Sequence, residues 1–241
     1  MTEWTIALIC AFIIGLSKAG VKGIAVIIVI GMAYIYGGKA STGIVLPLLI
    51  IGDIFAVIYY HRHAQWSHLL RFLPWMIIGV LLGVWFGKDL SEDIFKQGMA
   101  VIILFSAAMM YFFERSQIQR VPRHWSFAGI MGLLAGFTTM VGNLASSFTD
   151  LFFLAMRLPK NEFIGTLAWL FLIINVFKVP FHVFAWETIN IDSLIIGLYL
   201  LPAVLLGLFT GVKLVAIIKD AHYRKLIIFL TAGGSLLIFF R

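Results

Sequence analysis

Apolar stretches of membrane-spanning length follow one another along almost the whole chain, at about residues 4 to 36, 42 to 60, 69 to 87, 94 to 113, 125 to 156, 163 to 184, 190 to 212 and 222 to 240. One helical crossing of a bilayer takes roughly 20 apolar residues, and 241 residues at 62% hydrophobic supply around seven crossings and little else. With only 12% charged residues and a mean hydropathy of +1.04, a water-soluble globule and a soluble catalytic domain are both excluded. The expected fold is an all-α polytopic membrane protein.

The first and fifth blocks are too long for one simple span. Each is interrupted midway, by Gly15-Leu-Ser-Lys-Ala-Gly-Val-Lys-Gly23 and by Gly136-Phe-Thr-Thr-Met-Val-Gly-Asn143. Such breaks free backbone groups at membrane depth, which is tolerable only where protein or a hydrated cavity satisfies them. An internal duplication accompanies them: Leu73-Pro74, Gly79 and Gly83 recur 128 residues later as Leu201-Pro202, Gly207 and Gly211. Ser41-Thr42-Gly43 at the start of the second block has a counterpart in Gly165-Thr166 of the sixth. We therefore expect two repeats, residues 1–113 and 125–241, joined by a polar linker at 114–124. Each is a broken or re-entrant helical element followed by three transmembrane helices.

Cation placement separates the two forms a broken block can take. If all eight blocks cross, the 15 lysines and arginines outside them or in their end turns divide nine to six. If blocks one and five are re-entrant hairpins, Arg62, Arg71, Arg115, Arg120, Arg123, Arg157, Lys160, Lys213, Lys219, Arg224 and Lys225 share one side, against Lys39, Lys88, Lys96 and Arg241 on the other. That eleven-to-four division follows the positive-inside rule. It also gives each repeat an odd number of crossings, so the second is inverted relative to the first, and both termini face outward. A pair of kinked single helices is the alternative.

The +7 net charge is then a matter of topology and not of nucleic-acid binding. A single cysteine, Cys10, leaves no disulfide framework and no Cys-x-x-Cys zinc site. The opening Met-Thr-Glu-Trp has no basic stretch and no cleavage pattern, so the first block is expected to belong to the mature fold. His61, His63 and His68 are irregularly spaced in a polar connection with no cysteine or carboxylate to complete a metal set. Trp4, Trp66, Trp125 and Trp186 fall near block ends, as interfacial anchors do. No hydrolase, zinc-protease, phosphate-loop or dinucleotide motif occurs, so neither an enzyme nor a cofactor is expected.

Five charges lie inside apolar blocks and away from their end turns: Lys18, Lys22, Lys178, Asp53 and Asp150. Each costs about 2.5–3.5 kcal/mol near mid-bilayer, so each calls for a partner or a ligand. Complete pairing of three lysines with two aspartates leaves one cation over, and a buried spare cation invites an anion. Half-helices that begin just after each break would add inward-pointing N–H groups. Lys18 and Lys22 either meet the ligand, snorkel toward a headgroup or pair with Asp53. Lys178 lies in Asn175-Val-Phe-Lys-Val-Pro180, where Pro180 frees a carbonyl that can hold it. Aligning Thr42 with Thr166 sets Asp53 next to Lys178 across the repeat axis, an expected charge pair with Asn175 close by. Thr138, Thr139, Asn143, Ser146 and Ser147 either donate to an oxyanion or cap helix ends.

Nearly end to end, the chain resembles the sulfite exporter TauE/SafE family of membrane permeases. The resemblance is carried by Gly15-Leu-Ser-Lys-Ala-Gly, by Ser41-Thr-Gly-Ile-Val-Leu-Pro-Leu-Leu-Ile with Gly52-Asp53, and by Leu158-Pro-Lys-Asn-Glu-Phe-Ile-Gly-Thr-Leu-Ala-Trp169 followed by Asn175 and Lys178-Val-Pro180. It implies a permease of the bacterial inner membrane that moves small organosulfur or related anions such as sulfite, sulfonates, sulfoacetate and thiosulfate. On that reading Lys18, Lys22, Thr138, Thr139, Asn143 and Lys178 bind substrate, and Asp53 and Asn175 pair or couple charge. A passive anion channel and a non-transporting scaffold are the rival readings. Gly79 with Gly83 and Gly207 with Gly211 also permit close helix packing within the chain or between copies of it, so a homo-oligomer stays open.

Overall fold

The computed structural model describes residues 2–115 and 125–219, together with 222, 223, 226, 227 and 230. Among these are nine α-helices: α1 (Thr2–Lys18), α2 (Ala25–Tyr36), α3 (Gly38–Tyr60), α4 (Trp66–Gly87), α5 (Glu92–Arg115), α6 (Trp125–Gly142), α7 (Ser146–Ala155), α8 (Lys160–Pro180) and α9 (Ile191–Ile217). A short 3-10 turn, His61–His63, continues α3, and a π-helical turn, Phe181–Ala185, follows Pro180. Five stretches are long and apolar enough to cross a membrane: Gly38–His63, Trp66–Gly87, Trp125–Gly142, Lys160–Ala185 and Ile191–Ile217. The fifth block still supplies one of these, Trp125–Gly142, whereas the first divides into two shorter helices, α1 and α2. Residues 116–124 of the expected linker and nearly all of the eighth block lie outside the described residues.

Both broken blocks are helical hairpins. A Cβ on Gly31 of α2 would stand 2.4 Å from the Cys10 sulfur of α1, with Ile6 the next neighbour, so α2 returns along α1. The turn between them needs Gly20 and Gly23, whose φ of 120° and 93° suits a residue without a side chain. In the same way α7 returns along α6, bringing Phe152 within 5.7 Å of Phe127. Asn143, at φ 56°, makes that turn. A single kinked helix fits neither block.

Each glycine-bearing helix packs against the first arm of the more distant hairpin. On α4, a Cβ at Gly79 would lie 2.2 Å from the Leu133 carbonyl of α6, and one at Gly83 would lie 2.7 Å from Met140 Cβ. On α9, a Cβ at Gly207 would lie 2.1 Å from the Phe12 carbonyl of α1, and one at Gly211 would lie 2.6 Å from Ala19 Cβ. The facing arms answer with Gly136 and Gly15, so backbone rests on backbone. Close approach through small residues is how helices associate where no water remains to be expelled.

Helices α3 and α8 run antiparallel through the middle. Gly43 near the start of α3 lies under the Thr188 carbonyl beyond α8, and Gly165 near the start of α8 lies under the Tyr60 carbonyl that ends α3. Lys39 Nζ donates to the Lys88 carbonyl and Glu92 accepts from Gly38 N–H at one end of the bundle. At the other, Lys160 Nζ donates to the Val215 and Ile218 carbonyls at the end of α9. Trp4, Trp66 and Trp125 are exposed as anchors would be, but Trp186 is not. Its ring fills the space left by Gly87, and its indole N–H donates to the Val84 carbonyl.

Candidate functional site

The two hairpin turns face one another across a narrow cavity of about 40 Å³, room for a few water-sized atoms. Ser17, Lys18, Lys22 and Ala25 line it from the first hairpin, and Thr139, Asn143 and Ser146 from the second. Phe171 and Asn175 come from α8, Val45 and Leu49 from α3, and Ile28 and Val29 from α2. Both returning arms begin at this cavity, with Ala25 the first residue of α2 and Ser146 the first of α7. Neither start carries a side-chain cap, so first-turn N–H groups there are left for another acceptor. Of the hydroxyls expected either to cap helix ends or to donate to an oxyanion, that of Thr138 donates back to the Leu134 carbonyl at 2.7 Å.

All three lysines are buried, and they are held in different ways. Lys18 Nζ lies 2.6 Å from Asp53 Oδ1, while Asp53 Oδ2 accepts from Asn175 Nδ2 at 2.7 Å. The Lys18 ammonium also stands 4.7 Å above the Phe171 ring. Lys178 spends its three N–H groups on the Thr139 carbonyl, the Thr139 hydroxyl and Asn143 Oδ1, at 2.9, 3.1 and 2.7 Å. It thereby supplies a cation to the carboxyl end of α6, where carbonyls lack helical partners. The Lys22 ammonium makes no hydrogen bond and no ion pair among the described residues, and it sits 5.6 Å from the same Phe171 ring. The complete pairing assumed in the charge count is not reached: Lys18 and Asp53 form the one buried ion pair among the described residues, Lys178 is held by neutral groups, and neither Lys22 nor the Asp150 carboxylate is paired.

The expected Asp53 and Lys178 pair does not form. Gly43 and Gly165 occupy matching places at the crossing of α3 and α8, a register of 122 and not the 124 taken from the threonines. Under that register the partner of Asp53 is Asn175, as observed, and Lys178 lies one turn further on, facing α6. Nor does the carbonyl freed by Pro180 hold the ammonium, which goes to Thr139.

Of the other expected site residues, Thr139 lines the cavity, and Thr138 is buried with its hydroxyl turned into its own helix. The Asn143 amide is engaged at both ends, its Nδ2 donating to the Thr42 carbonyl at 3.4 Å. His61 and His63 are exposed, and no cluster of metal-binding side chains occurs among the described residues. Sequence reasoning missed Phe171, although it lies one helical turn before Asn175 and hence on the same face.

Residues 7–238 match the model of the family described as sulfite exporter TauE/SafE. The chain belongs to that family. Characterised proteins and solved structures give no further match. As a TauE/SafE member it is a multi-pass membrane protein of a transporter family, and membership implies transport of sulfur-containing anions.

Proposed function

We propose that this TauE/SafE protein is a secondary transporter of a small organosulfur or related anion such as sulfite, a sulfonate or sulfoacetate, in a bacterial inner membrane, and that it binds the anion between the hairpin turns. The observation that carries this reading is Lys22, a buried ammonium without a hydrogen bond at a cavity onto which two uncapped helix starts open. An oxyanion there meets one unspent positive charge and backbone N–H groups from two directions. Lys18 contributes when it leaves Asp53, and Ser17, Thr139 and Ser146 add side-chain hydroxyls around the lining. Lys178 and Asn143 fix the second turn, since their polar atoms are already taken by protein.

The same reading takes residues 1–113 and 125–241 as two inverted repeats moving against each other around a midplane site. The reciprocal packing of α4 on α6 and of α9 on α1 supports it, as does the mutual placement of Gly43 and Gly165. The test is flux of radiolabelled sulfite, sulfonate and thiosulfate into liposomes holding the purified protein. Saturable uptake at transporter rates is expected for at least one of them. Channel-sized currents, or no flux of any, would overturn the proposal.

A further inference from the structure

Asp150 is the one buried charge this arrangement does not use. It sits in the second turn of α7, fully buried, and neither carboxyl oxygen has a hydrogen-bond partner among the described residues. Elsewhere on α7 the packing is aromatic, with Phe105 of α5 on Phe148, and Phe127 of α6 and Phe72 of α4 on Phe152. The charges that act on Asp150 are Lys22, foremost, and Lys18. Tyr223, after α9, feels the Asp150 charge together with Tyr60 of α3. Both tyrosine hydroxyls donate to the turn that carries Lys22, at the Gly20 and Ala19 carbonyls.

Lys22 lines the cavity, and Asp150 lies one helical turn after Ser146, which lines it from the other hairpin, so the anion in the cavity and the Asp150 carboxylate are the two counter-charges open to the Lys22 ammonium. With the cavity empty, Asp150 is the carboxylate left to balance Lys22, since Asp53 is taken by Lys18, although the two form no ion pair. Once Lys22 is engaged by an anion, a bare carboxylate would remain in apolar surroundings, at a cost of several kcal/mol. A second cation must arrive with the anion. A metal ion needs about six oxygen ligands, whereas among the described residues no polar atom hydrogen-bonds the Asp150 carboxylate and no metal-binding cluster occurs. A proton needs one oxygen.

We propose that Asp150 is the proton-coupling site of this transporter, taking up one proton when Lys22 turns to the anion and releasing it when Lys22 turns back. The proposal rests on the anion reading of the cavity. Anion and proton then enter and leave together, and each raises the affinity for the other by the same factor.

The test uses the full chain in liposomes with radiolabelled methanesulfonate, which stays fully ionised across the working pH range. An inward proton gradient of one unit is expected to drive about tenfold accumulation, with one proton entering per sulfonate by a dye sealed in the lumen. Asp150→Asn should lose gradient-driven accumulation yet keep sulfonate exchange at equal pH, and Asp150→Glu should retain coupling. Sulfonate flux in the parent protein without proton entry would overturn the coupling and leave the anion reading standing, as would full accumulation by Asp150→Asn. If that variant does not fold, the proton count of the parent protein decides. Absence of flux in the parent protein would overturn both.

Discussion

Lys18 reaches Asp53 only because its stem crosses Gly52, where a Cβ would stand 2.7 Å from Lys18 Cγ. The Gly52-Asp53 dipeptide is therefore one device, a carboxylate and the clearance that lets an ammonium reach it. Gly52→Ala should push Lys18 aside and leave two buried charges unpaired, a loss of about 3–5 kcal/mol. Thermal unfolding in detergent checks this, and an unchanged midpoint would show that the stem has another route.

Asp53→Asn should act differently. It removes an anion that competes for Lys18 but leaves the ammonium without its ion pair when the cavity is empty. Sulfonate binding, read by calorimetry, should tighten while the maximal flux falls. Weaker binding would place Asp53 in the fold and outside the transport cycle.

Replacing the unspent cation should separate binding from folding. Lys22→Met is expected to lose about 1.5–3 kcal/mol of anion affinity, roughly 10- to 150-fold, with the melting midpoint retained where Asp150, deprived of its counter-charge, takes up a proton. Lys178→Met should do the reverse, because it strips three hydrogen bonds from the second turn and the carboxyl end of α6. Equal affinity in Lys22→Met and the parent protein would move the anion's charge partner elsewhere.

The glycine contacts should resist enlargement at corresponding places. Gly83→Leu pushes into Met140 and Gly211→Leu into Ala19, so both should fold poorly through overpacking. Gly98, with open space where its Cβ would be, is the control and should tolerate alanine. Normal melting of both leucine variants would remove the packing role.

Topology is open to labelling. Cys10 is buried, so cysteines placed at residues 39 and 88 should react with an impermeant maleimide from one side and those at 62, 160 and 219 from the other. Reaction of 39 and 160 from the same side would break the hairpin arrangement of the cations.

The hairpins were legible because glycine and polar residues interrupt an apolar run too long for one span, and periodicity has no other use for such a break. Gly79, Gly83, Gly207 and Gly211 likewise announced close contacts. Which helix each contact met was not legible, since a small residue marks an approach without naming the partner. The Asp53 partner was misread for a related reason: matching Thr42 to Thr166 shifts the repeat by two residues, and less than one helical turn decides which side chain faces a carboxylate. Trp186 looked like an anchor because position along a block does not reveal that Gly87 has left it a socket.

The seating of α9 along the glycine face of α1 has a consequence for biosynthesis. At about 5–20 residues per second, some ten to forty seconds separate translation of Gly15 from that of Gly207, the residue whose backbone it touches. Throughout that interval the nascent first hairpin has its own half of the chain for company but lacks the helix that closes its glycine face, so whatever inserts the protein must shelter that face until the last part of the polypeptide arrives.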